Sequence, residues 1–324
     1  MPKHYSSKNF GNYQTLFICG PTGSGKSSLA IRIAQEINGT IINADSMQVF
    51  RGLEILTSCP SKNDKNIVPH KLYNFVDPNY HFSVGIWLSE AIEVAQEARN
   101  LGKVPIFVGG TGLYFRALLN GLATIPKIDD ITRSDTRILF ETLGREAFCA
   151  HLAELDPVGI KRINIADTQR LLRLYEVVIS TGKTLQEWQN LEPNKKQNSL
   201  GKIIKLILSP ERNELYDAIN NRLEKMIEIG LLEELKIFLE DKVYNSSQAQ
   251  KALGVKEFSD YLDGKIELCT AIASSQLRTR HFAKRQLTWF RNQMPSALWL
   301  NGFGNDVIES ALNYINKCNQ VDQI

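Results

Sequence analysis

The sequence predicts an α/β fold, a P-loop parallel sheet core flanked by helices and interrupted by a mostly helical insertion domain. Three observations predict it. Short apolar runs alternate with helical patterns through the first 120 residues, a glycine-rich phosphate-loop pattern follows the first of those runs, and residues from about 132 to 189 are mostly helical in pattern with no strand signal before the β-branched rhythm resumes.

Each element follows in order. Thr15–Cys19 reads as a strand, Ser27–Asn38 as a helix closed by Gly39, and Thr40–Ala44 as a second strand. Val84–Leu101 is helical, with Ile86, Leu88, Ala91, Ile92 and Ala95 near one face and Gly102 as its stop, and Val104–Val108 follows as a strand. This βαβ rhythm implies parallel strands covered by helices. Leu122–Arg133, with Pro126 and two aspartates, breaks the pattern, and from Thr132 to Gln189 the chain reads as helix. The polar stretch Leu191–Ser199, with Pro193, Lys195 and Lys196, reads as the exit linker. Lys202–Leu208 is a further strand, followed by long helices over 211–240 and 270–292 and a short run, Ala297–Leu300. The expected organisation is a core in two parts, 1–120 and 196–324, around an insertion at 121–195.

The bulk properties exclude several classes. With 324 residues, 43% hydrophobic and 23% charged, the chain has the composition of a soluble globular protein. No apolar run approaches the ~18 residues of a membrane span, and the first residues lack a signal region, so no membrane partner and a cytoplasmic location are expected. Five cysteines, far apart and without a CxxC pair, give neither a zinc site nor a disulfide framework. A net charge of +3 is too small to argue a nucleic-acid partner by itself, so local charge must carry that argument.

The segment Gly20-Pro-Thr-Gly-Ser-Gly-Lys26-Ser27 fits GxxxxGK(S/T) between a strand and a helix. Its glycines let backbone N–H groups approach phosphate oxygens at a helix N-terminus, Lys26 adds a point charge, and the Ser27 hydroxyl is a candidate ligand for magnesium. In parallel sheets ligands gather at the carboxyl ends of strands. Asp45-Ser46-Met47-Gln48 and Gly109-Gly110-Thr111-Gly112 fall at two more such ends. Asp45 reads either as a carboxylate acting beside the phosphates or as a helix cap, and Gly109–Gly112 either as a site loop or as a tight turn. The strand Val104–Val108 ends in Gly-Gly where many nucleotidases place an acidic magnesium ligand, which weighs against ordinary ATP or GTP hydrolysis. His70 and His81, without spaced partners, read as structural.

Two stretches carry local positive charge. In Arg278–Arg291, helical spacing puts Arg280, Lys284 and Arg291 on one stripe and Phe282 and Trp289 on the opposite, buried one. In the insertion, Lys161, Arg162, Arg170, Arg173 and Lys183 outnumber Asp156, Asp167 and Glu176. Either is a phosphate-binding face or an ordinary solvated one.

Taken in order, the motifs resemble the bacterial tRNA dimethylallyltransferase family, also called isopentenyl-tRNA transferases. The matching segments are GPTGSGKS (20–27), ADSMQVFRG (44–52), PHKLYNFVDP (69–78), VGGTGLYFRALLNGL (108–122), DPVGIKRI (156–163), DTQRLLRLYEVVISTGKTLQE (167–187), NRLEKMIEIGLLEEL (221–235) and RTRHFAKRQLTWFR (278–291). The resemblance implies transfer of a dimethylallyl group from dimethylallyl diphosphate to the exocyclic amine of the adenine just 3′ of the anticodon, with diphosphate released and magnesium as cofactor. It implies that Gly20, Thr22, Gly23, Ser24, Gly25, Lys26 and Ser27 hold the diphosphate with Arg222 closing on it, that Thr22 hydrogen-bonds the bridging oxygen, and that Asp45 is the base. It also implies tRNA contacts at Asp45, Ser46, Met47, Gln48, Thr111 and Arg133 and along Gln169, Arg170, Leu171, Leu172 and Arg173, the insertion embracing the anticodon stem-loop of a tRNA bound by a monomer.

The chain departs from the family twice. Leu56-Thr-Ser-Cys-Pro60 stands where the family usually has Gly-Thr-Ala-Lys-Pro, and Val255 stands where it commonly has Tyr. Three other readings stay open on the residues alone: a transferase acting on free adenylate, a small-molecule or nucleotide kinase binding ATP, and a non-catalytic nucleotide-binding module.

Overall fold

The computed structural model describes residues 14–191, 200–240 and 247–320. Of the expected exit linker, all but Leu191 lies outside the described residues. The chain divides into two compact units, one formed by Met1–Leu118 with Asn198–Ile324 and the other by Leu119–Gln197.

The first unit is built on six parallel strands: β1 (Gln14–Cys19), β2 (Gly39–Asn43), β3 (His70–Lys71), β4 (Val104–Gly109), β5 (Lys202–Leu208) and β6 (Leu298–Leu300), in the order β3-β2-β4-β1-β5-β6. Helices α1 (Lys26–Ile37), α2 (Lys62–Ile67) and α3 (Val84–Asn100) fall among the first four strands, and α4 (Gly112–Asn120) follows β4. After β5 come α9 (Arg212–Glu228), α10 (Leu231–Glu240), α11 (Val255–Leu262) and α12 (Leu268–Gln293), and α13 (Ile308–Gln320) follows β6.

Strand alternation sends different side chains to the two faces of the sheet. Leu16, Ile18, Ile41, Ile106, Val108, Leu206 and Leu208 form an aliphatic layer with Leu29 and Ile33 of α1 and Leu312 and Ile315 of α13. The other face is aromatic. Phe17 meets Phe107 at 5.6 Å and Phe115 of α4 at 5.2 Å, and Phe115 meets Phe290 of α12 at 6.0 Å. Trp87 of α3, fully buried, stacks on Tyr114 at 3.8 Å and donates its indole N–H to the Asn43 carbonyl at 3.1 Å. Because both faces are covered, β1 is buried along its whole length, which is why it reads as an unbroken apolar run.

The second unit is helical: α5 (Asp130–Leu155), kinked at Gly144, then α6 (Pro157–Lys161), α7 (Thr168–Thr181) and α8 (Leu185–Asn190). Phe148 and Leu152 of α5 pack with Leu171, Leu174 and Tyr175 of α7 in a core of its own. Asp156, Asp167 and Thr184 cap the helices that follow them, which explains the polar residues between the apolar repeats.

Two expectations are corrected. The single helix expected over 211–240 is two, because Gly230 at φ 106° leaves helical geometry between α9 and α10. The strand β3 was not expected; its residues are extended because they pair with Ile41 and Ile42 of β2. Truncating Trp87 to Ala should cost about 3–5 kcal/mol of stability, and Trp87→Phe, which loses mainly the indole hydrogen bond and some volume, about 1–3 kcal/mol. The midpoint of chemical denaturation measures both, and equal losses would mean that ring packing is not what Trp87 contributes.

Candidate active site

Three strand-end loops meet at the carboxyl edge of the sheet in the first unit. The glycine-rich loop joins β1 to α1, Asp45–Gln48 follows β2, and Gly110–Thr111 follows β4. The registers Cys19↔Gly109 and Asn43↔Val108 bring the three to one level.

The glycine-rich loop is mounted from behind by residues distant in sequence. Gly25 caps α1 at φ 80°, and a Cβ there would stand 2.8 Å from the Gly304 nitrogen, so only glycine fits. Gly304 in turn donates its N–H to the Ser24 carbonyl at 3.2 Å. Thr22 receives two contacts: its N–H is accepted by Gln286 Oε1 at 2.9 Å, and its hydroxyl oxygen accepts from Arg222 Nη2 at 2.7 Å. Gly20, Gly23 and Ser24 complete the turn, with the buried Ser24 hydroxyl donating to the Pro21 carbonyl. Lys26 donates to the same carbonyl at 2.6 Å, and Ser27 stands exposed in the first turn of α1.

Charge at this point is unbalanced. Burial pushes Lys26 down from the usual lysine range to about 8; Asp45 opposes the shift and Arg222 adds to it. Burial likewise lowers the pKa of Arg222, with Asp45 again opposing, and the Arg222 Nε is buried without a hydrogen-bond partner. Two partly buried cations therefore share one carboxylate, an arrangement that an anionic ligand would relieve.

Asp45 does not cap a helix. No helix follows until α2, and its carboxylate instead accepts the Met47 N–H at 3.0 Å, a tight local turn. The turn is aimed by Asn43, fully buried at the end of β2, whose Oδ1 accepts the Asp45 N–H at 2.8 Å while its Nδ2 donates to the carbonyls of Leu72 and Asp45. Ser46 N–H donates to Thr111 Oγ1 at 2.9 Å, joining the second loop to the third. Gln48 donates its amide to the carbonyls of Thr57 and Ser58, both at 2.9 Å. Gly110 and Gly112 are not merely a turn: a Cβ would stand 2.0 Å from Gln286 Nε2 at the first and 2.3 Å from the Trp289 ring at the second.

The segment that departs from the family, Leu56–Pro60, is tied down by Gln48 on one side and by Glu234 of α10 on the other. The Glu234 carboxylate accepts the N–H groups of Ile55 and Leu56 at 2.7 and 2.9 Å. Cys59 donates its thiol to Asn74 Oδ1 at 3.0 Å, and burial pushes its pKa up to about 12, so it is a packing residue rather than a nucleophile.

On α12 the expected burial pattern is shifted. Ala283, Gln286 and Phe290 are the buried residues of this turn, whereas Trp289 is partly exposed and, with His281, Lys284, Arg285, Thr288 and Asn292, lines a cavity of about 530 Å³. The basic stripe and one of the aromatics therefore face the same way. Arg280 and Arg291 are drawn off that surface, Arg280 to Asn220 Oδ1 at 3.0 Å and Arg291 over the Trp299 ring at 5.9 Å.

The second unit carries the remaining predicted residues. Gln169 and Arg170 are exposed at the start of α7, Arg170 pairing with Asp167 at 3.2 Å. Leu172 is partly buried against the unit's core, and Leu171 is completely buried within it. That corrects the expectation for Leu171, whose side chain fills the core and is closed to a tRNA. Arg133 and Arg173 lie close enough that Arg133 contributes to lowering the Arg173 pKa, after the larger effect of burial and against the pull of Glu176.

The sequence reading missed Asn43, Glu234 and Gln286. Asn43 and Gln286 had a signal: each is a polar residue on an otherwise apolar stripe, one ending a buried strand and the other between Ala283 and Phe290.

The family model for IPP transferase matches residues 48–293. The chain belongs to the IPP transferase family. Among curated relatives, a tRNA dimethylallyltransferase of Bartonella henselae is 45% identical over 278 residues, covering 85% of this chain and 94% of that one. A tRNA dimethylallyltransferase of Caulobacter sp. strain K31 is 43% identical over 280 residues, covering 86% and 90%. Of solved structures, the tRNA isopentenylpyrophosphate transferase of Bacillus halodurans aligns with a TM-score of 0.69 at 31% identity, over 96% of this chain and 98% of that one. A eukaryotic dimethylallyltransferase acting on tRNA aligns with a TM-score of 0.73 at 28% identity, over 89% and 73%. The family match begins at residue 48, so the glycine-rich loop and Asp45 stand on their own geometry and on the longer pairwise matches.

The depressed Lys26 makes a prediction with opposite signs for binding and folding. Between pH about 8 and 10.5 the folded chain holds fewer protons here than the unfolded chain, so this group makes folding more favourable as pH rises through the window. Over the same window the loop loses charge, so titration calorimetry with inorganic diphosphate should give an affinity that falls above about pH 8. An affinity that stays flat to about pH 9.5 would remove Lys26 from the binding set.

Proposed function

We propose that this member of the IPP transferase family transfers a dimethylallyl group from dimethylallyl diphosphate to the exocyclic amine of the adenine immediately 3′ of the anticodon in tRNA. The observation that carries the reading is the pair of cations brought to the glycine-rich loop, Lys26 at the start of α1 and Arg222 on the Thr22 hydroxyl, with Asp45 a carboxylate that both feel. An allylic diphosphate leaves readily because the developing carbocation is delocalised, so the protein's tasks are to accept the departing charge and to hold the amine in line.

The residues divide those tasks. Gly20, Gly23, Ser24 and Gly25 shape the cradle, and Lys26 and Arg222 meet the phosphate charge. The Thr22 hydroxyl oxygen already accepts from Arg222, which leaves its proton free to donate to the bridging oxygen. The C–O bond to that oxygen breaks with its electron pair passing to diphosphate, the adenine nitrogen forms the new bond to carbon, and the proton it sheds passes to Asp45. Magnesium fits the residues present: this ion keeps most of its waters and binds phosphates with few protein ligands, and an exposed Ser27 hydroxyl beside Lys26, with no cluster of three or more metal-ligating side chains among the described residues, suits that mode. When bound it would neutralise charge on the diphosphate, with Ser27 as its protein ligand.

An adenine stacked in a loop cannot reach such a pocket, so the base must be flipped out at a cost of a few kcal/mol that protein contacts offset. In the first unit, Ser46, Met47, Gln48 and Thr111 lie beside Asp45, and the cavity along α12 sets Trp289 among Lys284 and Arg285, a stacking surface within positive charge. In the second unit, Arg133 and Arg173 are held near one another, Arg133 only 23% exposed in its side chain, and Gln169, Arg170 and Leu172 adjoin Arg173 on α7. Like charges brought together in this way are relieved by a phosphate. Among the described residues no helix is long and apolar enough to cross a membrane. A cytoplasmic monomer remains part of the proposal, and light scattering of the purified chain checks its oligomeric half.

The deciding experiment mixes the chain with magnesium, labelled dimethylallyl diphosphate and unmodified tRNA, and counts label in tRNA. No incorporation sinks the proposal, faster incorporation into AMP moves the acceptor to free nucleotide, and a requirement for ATP points to a kinase. Asp45→Asn keeps an oxygen for the Met47 N–H and so keeps the turn, but has no basic carboxylate; turnover should fall by about 10²–10⁴ with tRNA affinity retained. A rate near wild type would exclude Asp45 as the base. Arg133→Ala and Arg173→Ala should each weaken tRNA binding and lower the slope of log affinity against log salt by about one unit, and an unchanged slope would remove that residue from the interface.

A further inference from the structure

Gln286 is 5% exposed and sits in the buried stripe of α12 between Ala283 and Phe290. Both ends of its amide are engaged with the carboxyl edge of the sheet. Oε1 accepts the Thr22 N–H of the glycine-rich loop at 2.9 Å, and Nε2 donates to the Gly110 carbonyl after β4 at 3.0 Å. The partners lie 264 and 176 residues away in sequence, so this one side chain ties the third part of the chain to two of the three loops that form the site. The approach is close enough that any side chain at Gly110 would collide with the amide.

The consequence falls on Thr22. Its peptide N–H is taken up by Gln286 of α12, and this bond fixes the side from which the Thr22 side chain leaves the backbone. On that side its hydroxyl oxygen meets Arg222 at 2.7 Å. An apolar side chain at 286 would strand the Thr22 N–H and the Gly110 carbonyl without partners, and the loop would have to turn to satisfy them. We propose that Gln286 is a positioning residue of the transfer reaction, holding the Thr22 peptide so that the Thr22 hydroxyl stands on the oxygen that leaves with diphosphate. The inference rests on the prenyl-transfer reading above.

The chemistry of the amide supplies its own test. In Gln286→Glu the protonated acid reproduces both bonds, its carbonyl accepting from Thr22 and its O–H donating to Gly110. The ionised form has no donor and sets a charge against the Gly110 carbonyl. Arg222 of α9 meets the same Thr22 that Gln286 holds, and Lys26 of α1 and Asp45 after β2 both act on Arg222 electrostatically; the two cations favour the ionised form and Asp45 opposes it. On α12 itself His281, Lys284 and Arg285 point to the exposed side. Transfer rates are measured for Gln286→Glu and wild type between about pH 5.5 and 8.5, with folding checked at each pH by circular dichroism. The ratio of variant to wild type should rise by about tenfold or more towards the acid end.

Gln286→Met, of similar volume without the hydrogen bonds, should lower kcat by about tenfold or more while the KM for dimethylallyl diphosphate changes by less than about threefold. A merely structural glutamine would lower melting temperature and the amount of active enzyme without making the ratio depend on pH. A ratio that is flat with pH at any level, or a Gln286→Met variant with wild-type kcat, overturns the proposal. Wild-type chain that transfers nothing sinks the prenyl-transfer reading, and the positioning role with it, since there is then no leaving oxygen for Thr22 to stand on.

Discussion

Everything at the carboxyl edge of the sheet is arranged around two partly buried cations at the glycine-rich loop, Lys26 on the Pro21 carbonyl and Arg222 on the Thr22 hydroxyl. A charge in that position is unfavourable by itself, and Asp45 compensates only one of the two. The remaining cost is met by the sheet beneath: β1 buried along its length, an aliphatic layer on one face and an aromatic layer on the other. A loop that carries uncompensated charge relaxes unless its backbone is overdetermined, and this one is held from three elements, through Arg222 of α9, Gln286 of α12 and Gly304 after β6. Lys26 turns back to the Pro21 carbonyl of its own loop. That is a contact a phosphate can replace without reorganising the loop.

The same logic explains why Asn43, Gln286 and Glu234, which position the loops of the site, are uncharged or acceptor-only. Asn43 satisfies donors and acceptors of Asp45 and Leu72 together, and Gln286 those of Thr22 and Gly110. An amide carries an acceptor oxygen and two N–H donors, so it can satisfy backbone groups of both kinds without adding charge to a place already rich in it. Glu234 has the complementary task of receiving two N–H groups, Ile55 and Leu56, and a carboxylate is the side chain suited to two donors at once. Burial raises its pKa while those two backbone bonds pull the other way, so the bonds are what keep a carboxylate tenable there.

How far the sequence foretold this differs from element to element for physical reasons. The glycine-rich loop was legible because its function restricts backbone geometry, and such restrictions are written as glycines at fixed spacing. The strand β3 was not, because His70 and Lys71 have no period of their own and are extended only by pairing with β2. On α12 the wheel placed Phe282 and Trp289 together on the buried side, whereas the buried stripe is Ala283, Gln286 and Phe290, one residue over. A glutamine in that stripe lowers its apparent hydrophobicity and shifts the pattern toward the aromatics, so the residue that disguises the core face is the one that braces the loop. Leu171 failed for a different reason. Its spacing with Leu174 and Tyr175 is that of a core stripe, but it was carried as part of a contiguous segment, and a helix cannot present five consecutive residues to one ligand.

The two departures from the family pattern adjoin in space. Leu56, where the family usually has glycine, is 8% exposed, and its Cδ1 lies where a Cβ on Gly254 would come within 2.8 Å. Val255, the next residue, is 3% exposed where the family commonly has tyrosine. One change adds side-chain volume beside Gly254 and the other removes it from the neighbouring position, and volume-conserving exchanges are the kind that packed interiors tolerate. Neither change reaches the loop through which Lys26, Thr22 and Arg222 act. The segment around Leu56 keeps its place through backbone groups, the carbonyls of Thr57 and Ser58 to Gln48 and the N–H groups of Ile55 and Leu56 to Glu234, and backbone contacts do not depend on which side chain stands at 56. The changes at 56 and 255 therefore bear on packing around α11, whereas Cys59, where the family usually has lysine, lies close enough to Asp45 to feel its charge.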